Sequence, residues 1–268
     1  MALLWSTGIR QFVAQHGSYK RALQGGVMVL YSGTVPASAD LVAGSYTTQL
    51  VCISLGSGSY TPETQASASL TLSGSGGSLD ALWVGIPGET EVQIMGPVGL
   101  AIPYNTDLTT TASDVVAQIQ TYLSNPEYEV SSNGAIITVK SLMGSGIAQN
   151  GFELDCTSSG GLLENCPQTF AGGVAAVNGL TYLYGIAGVL TKTGTWSGVI
   201  LNTGTASYWR IYGPTANEWG APLASTSAIR VQGTCGVGAT FDYNMSSTSL
   251  TAGQTHQIDN FNLEIPVS

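Results

Sequence analysis

The sequence predicts a mainly β fold: a discontinuous β-sandwich with a small α+β domain inserted into it and short helices at the N-terminus. Three observations predict this. Short runs rich in Val, Ile, Tyr and Trp recur between turns of Gly, Ser and Thr. The strands before "SGSGGS" (73–78) are too few to close a sandwich, so they must pair with the strands near the end of the chain. Between the two sets, residues 103–141 read as one helix followed by a hairpin, unlike the chain on either side.

Residues 3–24 read as helical, with Leu3, Leu4, Trp5, Ile9, Phe12, Val13 and Leu23 as apolar positions. Gly8 and Gly17 interrupt the run, so two short helices fit better than one. The second spans 18–24, with Ser18 as N-cap and Gly25-Gly26 as stop. "VMVLYSG" follows as a strand of continuous apolar character, predicted to be buried on both faces. "TVPASADLVAG" is a loop, and "TTQLVCISLG" and "ASASLTLSG" are further strands. The "SGSGGS" stretch reads as a flexible joint and sets the first domain boundary.

In the middle region, "ALWVGIPG" and "EVQIMGP" read as short strands. Thr111 is placed as the helix N-cap, with Asp114 three residues on in the manner of a capping box. Val115, Ile119 and Leu123 then share a face that Val116 and Tyr122 widen, and Asn125-Pro126 ends the helix. Asn133-Gly134 marks a tight hairpin, and "GFELDC" supplies a last strand. After a loop-rich stretch, "LTYLYGI", "VLTKTGTWSGVIL", "ASYWRIYGP", "IRVQGTCG" and "FNLEIPV" read as sandwich strands. The predicted organisation is therefore an N-terminal helical segment (1–26), a discontinuous β-sandwich (27–78 and 157–268) and an inserted α+β domain (79–156).

Charged residues make up only 9% of the 268, far below the roughly 25% of ordinary soluble chains. The surface therefore falls largely to Ser, Thr, Asn and Gly, which suits a protein covered by partners or a secreted adhesin. A net charge of -9, from 16 acids against 7 bases, argues against a nucleic-acid partner. The N-terminus does not read as a signal peptide, and no stretch is long enough to span a bilayer as a helix, so no membrane insertion is expected. Of the four cysteines, Cys156 and Cys166 are close enough in sequence to form a small loop, but four reduced thiols is the favoured reading.

No motif for chemistry stands out, and no catalytic residue, cofactor or metal ligand is assigned. Asp80, Glu89, Glu91 and Asp107 lack calcium-loop spacing and read as solvated charges. Glu127 and Glu129 alternate onto one strand face, which suits a guard against edge pairing better than a glycosidase pair. His16 and His256 have no nucleophile motif beside them. Trp196, Tyr208, Trp209, Tyr212 and Trp219 cluster in sequence and read as core and interface rather than as a carbohydrate platform. The N-terminal apolar stripe (Leu3, Leu4, Trp5, Ile9, Phe12) either binds a neighbouring subunit or covers its own sandwich, and these five residues are the candidate interface.

"STGIRQFVAQHGSYKRALQGGVMVLYSGTVPASAD", "GTWSGVILNTGTASYWRIYG" and "MSSTSLTAGQTHQIDNFNLEIP", in that order, are similar to a family of small structural proteins of tailed-bacteriophage particles. The middle "IPYNTDLTTTASDVVAQIQTYLSNPEYEVSSNGAIITVKSLMGSGIAQNGFEL" looks like a module found inside phage tail proteins. The resemblance implies a virion component made in the host bacterial cytoplasm, non-enzymatic, with copies of itself and other virion proteins as partners. It carries over no functional residue. A tail, collar or fibre-anchoring position is favoured over capsid decoration because the insert resembles tail modules. A carbohydrate- or receptor-binding adhesin, with a host surface glycan as partner, is the rival from another class. A tail-spike hydrolase is the third, against which the lack of a solenoid repeat counts.

Overall fold

A computed structural model describes residues 3–43, 48–89, 91–95, 100–121, 128–184, 188–215 and 223–265. The fold is mainly β, built from antiparallel sheets, with three helices among the described residues. The chain divides into two compact units: residues 1–63 with 175–268, and residues 64–174.

The first unit is built on one large sheet. Seven of its eight strands run Leu4–Trp5, Arg230–Gly236, Tyr208–Tyr212, Val27–Tyr31, Gln49–Leu55, Trp196–Val199, Thr255–Ile258, each antiparallel to its neighbour, and the eighth, Tyr243–Asn244, pairs in parallel with Arg230–Gly236. Early strands thus lie against late ones, Val27–Tyr31 on Tyr208–Tyr212 and Gln49–Leu55 on Trp196–Val199. Val27–Tyr31, Tyr208–Tyr212 and Arg230–Gly236 are buried at every position, which is why their sequences do not alternate. On one face Trp209, Trp196 and Phe261 pack ring on ring, and Tyr182, from a smaller sheet of Thr181–Tyr184, Val189–Thr193 and Asn262–Glu264, meets Trp196 edge-on at 5.1 Å. The other face carries Val27, Val29, Tyr31, Tyr208 and Tyr212, with Tyr60 packed on them.

Two capped helices lie between the Leu4–Trp5 and Val27–Tyr31 strands. Helix α1 (Thr7–His16) starts where the Ser6 hydroxyl accepts from the Ile9 amide at 3.2 Å, and ends at Gly17, whose φ of 72° takes the left-handed conformation. Helix α2 (Tyr19–Leu23) is capped by Ser18, as its sequence predicts. Leu4 and Trp5 depart from the helical expectation. They form an edge strand, Leu4 opposite Gln232 and Trp5 opposite Val231, because a ladder to the far end of the chain outcompetes local helix formation. The segment 1–26 is therefore part of the first unit and not a separate domain.

The second unit is wider than the 79–156 expected. Strand Ser67–Thr71 pairs along its length with Ile136–Ser141, and Ala68, Leu70 and Leu72 turn into this unit's core. The Gly/Ser stretches at 73–78 and 157–161 are not linkers. Ser73–Gly74 pairs with Leu162–Leu163, and the backbones interlock so tightly that a Cβ on Gly77 would collide with the Ser159 carbonyl. Glycine serves there for close approach, which composition does not distinguish from mobility.

Helix α3 (Leu108–Thr121) packs Ala112, Val115 and Ile119 into this core. Leu123, Tyr122 and the Asn125-Pro126 stop lie outside the described residues. The helix begins earlier than expected. Asp107 caps it, its carboxylate accepting from the Thr110 amide at 2.7 Å, while Thr111 is buried inside the first turn with its hydroxyl on the Asp107 carbonyl. Asp114 instead accepts from Asn105 Nδ2. In the hairpin of Tyr128–Asn133 and Ile136–Ser141, Asn133 still belongs to the strand and Gly134 opens the turn at a φ of 58°. A second sheet centres on the pair Ser78–Gly85 and Glu153–Ser159. Cys156 and Cys166 are joined in a disulfide, with Cα atoms 5.8 Å apart, which overturns the reduced reading. Closing so short a loop contributes about 2–3 kcal/mol in the chain-entropy account. Cys52 and Cys235 are free thiols.

Hydrogen bonds from Thr110 lower the Asp107 pKa. A depressed carboxyl pKa adds stability that is present above the unfolded value, about 3.9, and lost as pH falls through the folded value. Asp107→Ala should therefore lower the melting midpoint of the second unit at neutral pH. Asp107→Asn should keep the cap and remove this residue's share of the acid dependence. Melting followed by circular dichroism from acid to neutral pH checks both.

Candidate functional site

The least expected feature of the first unit is a polar row in its sheet. Arg210 lies opposite Gln232, and Tyr212 opposite Arg230, on neighbouring strands. Alternation places all four on one face. Both arginines are fully buried, as is Gln232. Burying a guanidinium is costly unless its donors are met, and the loop after Tyr31 meets several of them, with Gln232 and the Leu223 carbonyl taking others. Arg210 donates to Gln232 Oε1 through Nε and Nη2, and to the Leu41 carbonyl at 2.9 Å. Arg230 donates to the carbonyls of Ala39 and Asp40, each at 3.4 Å, and of Leu223 at 2.6 Å. Gln232 Nε2 donates to the Pro36 carbonyl at 2.8 Å. The 36–41 loop is thus held by its main chain against three side chains of two strands.

The same loop positions α1. Asp40 accepts from the Thr7 amide and the Thr7 hydroxyl, both at 2.8 Å, placing a carboxylate at the helix N-terminus where the dipole favours it. Beside it, the Ser6 hydroxyl donates to the Ala228 carbonyl and accepts from the Arg230 amide. These contacts set the entry angle of the edge strand and leave a groove of about 450 Å³. Leu3, Leu4, Trp5, Arg10 and Tyr19 line it together with the 37–39 loop. Trp5 meets Tyr19 edge-on at 4.9 Å. Leu3, Leu4 and Trp5 are half-buried, and Arg10 is exposed.

The five candidate interface residues therefore separate. Ile9 and Phe12 are buried, 0% and 5% exposed, by the chain's own first unit and cannot face a partner. Leu3, Leu4 and Trp5 remain accessible on the groove. Trp196, Tyr208, Trp209 and Tyr212 are fully buried, so they form core and offer no platform to a sugar. Trp219 lies outside the described residues, as does Glu127. Glu129 sits opposite Lys140 in the hairpin.

Reactive groups are muted. Burial pushes the Cys52 and Cys235 thiols up to about 12, far from thiolate formation at neutral pH. Burial also raises Tyr31 and Tyr212, whose hydroxyls share a 2.8 Å hydrogen bond. His256 Nε2 lies 3.2 Å from the Tyr243 hydroxyl, and burial lowers its pKa while Asp259 opposes that shift. Among the described residues, no three His, Cys, Asp or Glu side chains gather where they could hold a metal ion. No described helix is long and apolar enough to cross a membrane. Comparison with family models, curated proteins and solved structures finds no match for this chain.

The polar row was missed in the sequence, though a signal was present. "YWRIY" sets one cation in the middle of an otherwise apolar strand, and "IRVQG" places Arg230 and Gln232 two residues apart. A cation at a central strand position must be buried with partners. Arg210→Met would leave Gln232 Oε1 and the Leu41 carbonyl unsatisfied. It should cost about 2–4 kcal/mol, read by urea unfolding followed by tryptophan fluorescence, and speed amide exchange across 36–41.

Proposed function

We propose that this chain is a non-enzymatic structural component of a tailed-phage particle. In this reading it sits in the tail or collar, or anchors fibres, and joins copies of itself and other particle proteins through its N-terminal edge. The observation that carries the reading is the exposed remainder of Leu4 and Trp5, with Leu3 just before them, on an edge strand that pairs on one side only among the described strands. Such an edge offers unpaired main-chain groups beside apolar surface, the ingredients of strand addition. Covering what those three side chains still expose would contribute about 2–4 kcal/mol gross. The low charge content and the order of motifs resembling phage structural proteins support the same reading.

Removing the whole helical segment would not test this, since Ile9 and Phe12 would leave the core and the unit would unfold. The discriminating change is Leu3→Ser with Trp5→Ser, introduced into the encoding phage genome. The purified variant is expected to keep cooperative melting, with particles depleted of the protein by about tenfold or more. Particles that carry the folded variant at the normal level would refute the proposal.

A further inference from the structure

Charge is segregated along this chain. No acid precedes Asp40, and that stretch holds Arg10, Lys20 and Arg21, a charge of +3. The rest of the chain has 4 bases against 16 acids, a charge of -12. Two of those four bases, Arg210 and Arg230, are fully buried and present no cation to a partner.

The large sheet converts this asymmetry into a geometric one. Its first strand, Leu4–Trp5, pairs with Arg230–Gly236, and its last, Thr255–Ile258, with Trp196–Val199; no described strand lies beyond either in that order. The first edge carries the groove with the exposed Arg10. The last edge runs directly into Asp259, which is exposed and accepts from Gln257 Nε2 at 3.0 Å. Glu264, also exposed, lies a few residues on, and no Lys or Arg follows Arg230. The first edge presents the Arg10 cation beside Leu3, Leu4 and Trp5, and the last presents the Asp259 carboxylate.

We propose that a second copy of this chain docks head to tail, its Thr255–Asp259 edge seated against the Leu4–Trp5 edge and groove, with Arg10 facing Asp259. Each neighbouring pair along the seven-strand path is antiparallel, so the first and last strands run in the same direction. A contact that continues the sheet with its faces kept in the same sense sets the two edges parallel. Two different surfaces meet, so the contact is heterologous. It closes into a ring if the rotation per copy allows, and otherwise extends as a filament. This deepens the assembly reading above and rests on it for the claim that the N-terminal edge is an interface.

The test is sedimentation of the purified full-length chain at about 0.01 M salt, where charges act over about 30 Å, and again at about 0.5 M. The wild-type chain is expected to self-associate at low salt and to dissociate as salt rises. Arg10→Glu and Asp259→Arg should each weaken association about fivefold or more, and an equal mixture of the two variants should restore it. Arg10→Gln and Asp259→Asn give milder versions of each change in case a reversal disturbs folding, which circular dichroism reports. A chain that stays monomeric at low salt overturns the proposal. So does association that neither reversal moves, or that Arg10→Glu abolishes while Asp259→Arg leaves it intact, since the groove would then take another occupant. The two readings fail separately. Salt-dependent, charge-paired association of a chain whose Leu3 and Trp5 variant still enters particles would sink the particle reading and leave the head-to-tail contact standing.

Discussion

The first unit depends on how two buried guanidiniums are satisfied. Arg210 and Arg230 are fully buried on one face of a sheet built mostly from apolar strands, where a guanidinium is costly unless most of its donors are met. Three of the carbonyls that meet them, those of Ala39, Asp40 and Leu41, come from the 36–41 loop, beside the Leu223 carbonyl and Gln232 Oε1. The cost of burying charge thereby fixes a stretch of chain that forms no helix or strand of its own. The loop then presents Asp40 to the N-terminus of α1 and helps line the groove. A surface feature is in this way set by an electrostatic requirement in the core.

This explains why a protein so poor in charge keeps two of its seven cations inside. An apolar pair at these positions would fill the same space, but it would give the loop's carbonyls nothing to bind. Arginine suits the task better than lysine because its planar fork serves several acceptors at once, as Arg210 does with Gln232 Oε1 and the Leu41 carbonyl.

What could be read from the sequence follows the range of the forces involved. Local signals were legible: Ser18 caps α2 and Gly134 turns the hairpin, because capping and turn chemistry act over a few residues. The continuous apolar run at Val27–Tyr31 gave burial on both faces. Signals that depend on distant partners misled. Leu4 and Trp5 fit a helical stripe, yet their pairing is decided by Arg230–Gly236. "SGSGGS" looked like a joint because nothing within it shows that Gly160 and Gly161 will close against it. Thr111 looked like a cap, but the carboxylate of Asp107 reaches the Thr110 amide first and pulls the helix start toward itself. Within the candidate interface, the split between buried Ile9 and Phe12 and accessible Leu3, Leu4 and Trp5 needed the fold.

The central claim is that the buried arginine row and the N-terminus of α1 act as one coupled element through the 36–41 loop. A double-mutant cycle between Arg210→Met and Asp40→Ala, each variant unfolded in urea, measures that coupling directly. The two side chains do not touch each other in the contacts described above, so a coupling energy must travel through the loop they share. The account predicts a coupling of about 1 kcal/mol or more, because either change alone loosens the loop that both side chains hold. Additivity within about 0.5 kcal/mol would contradict it, and would mean that the loop and the helix are held independently.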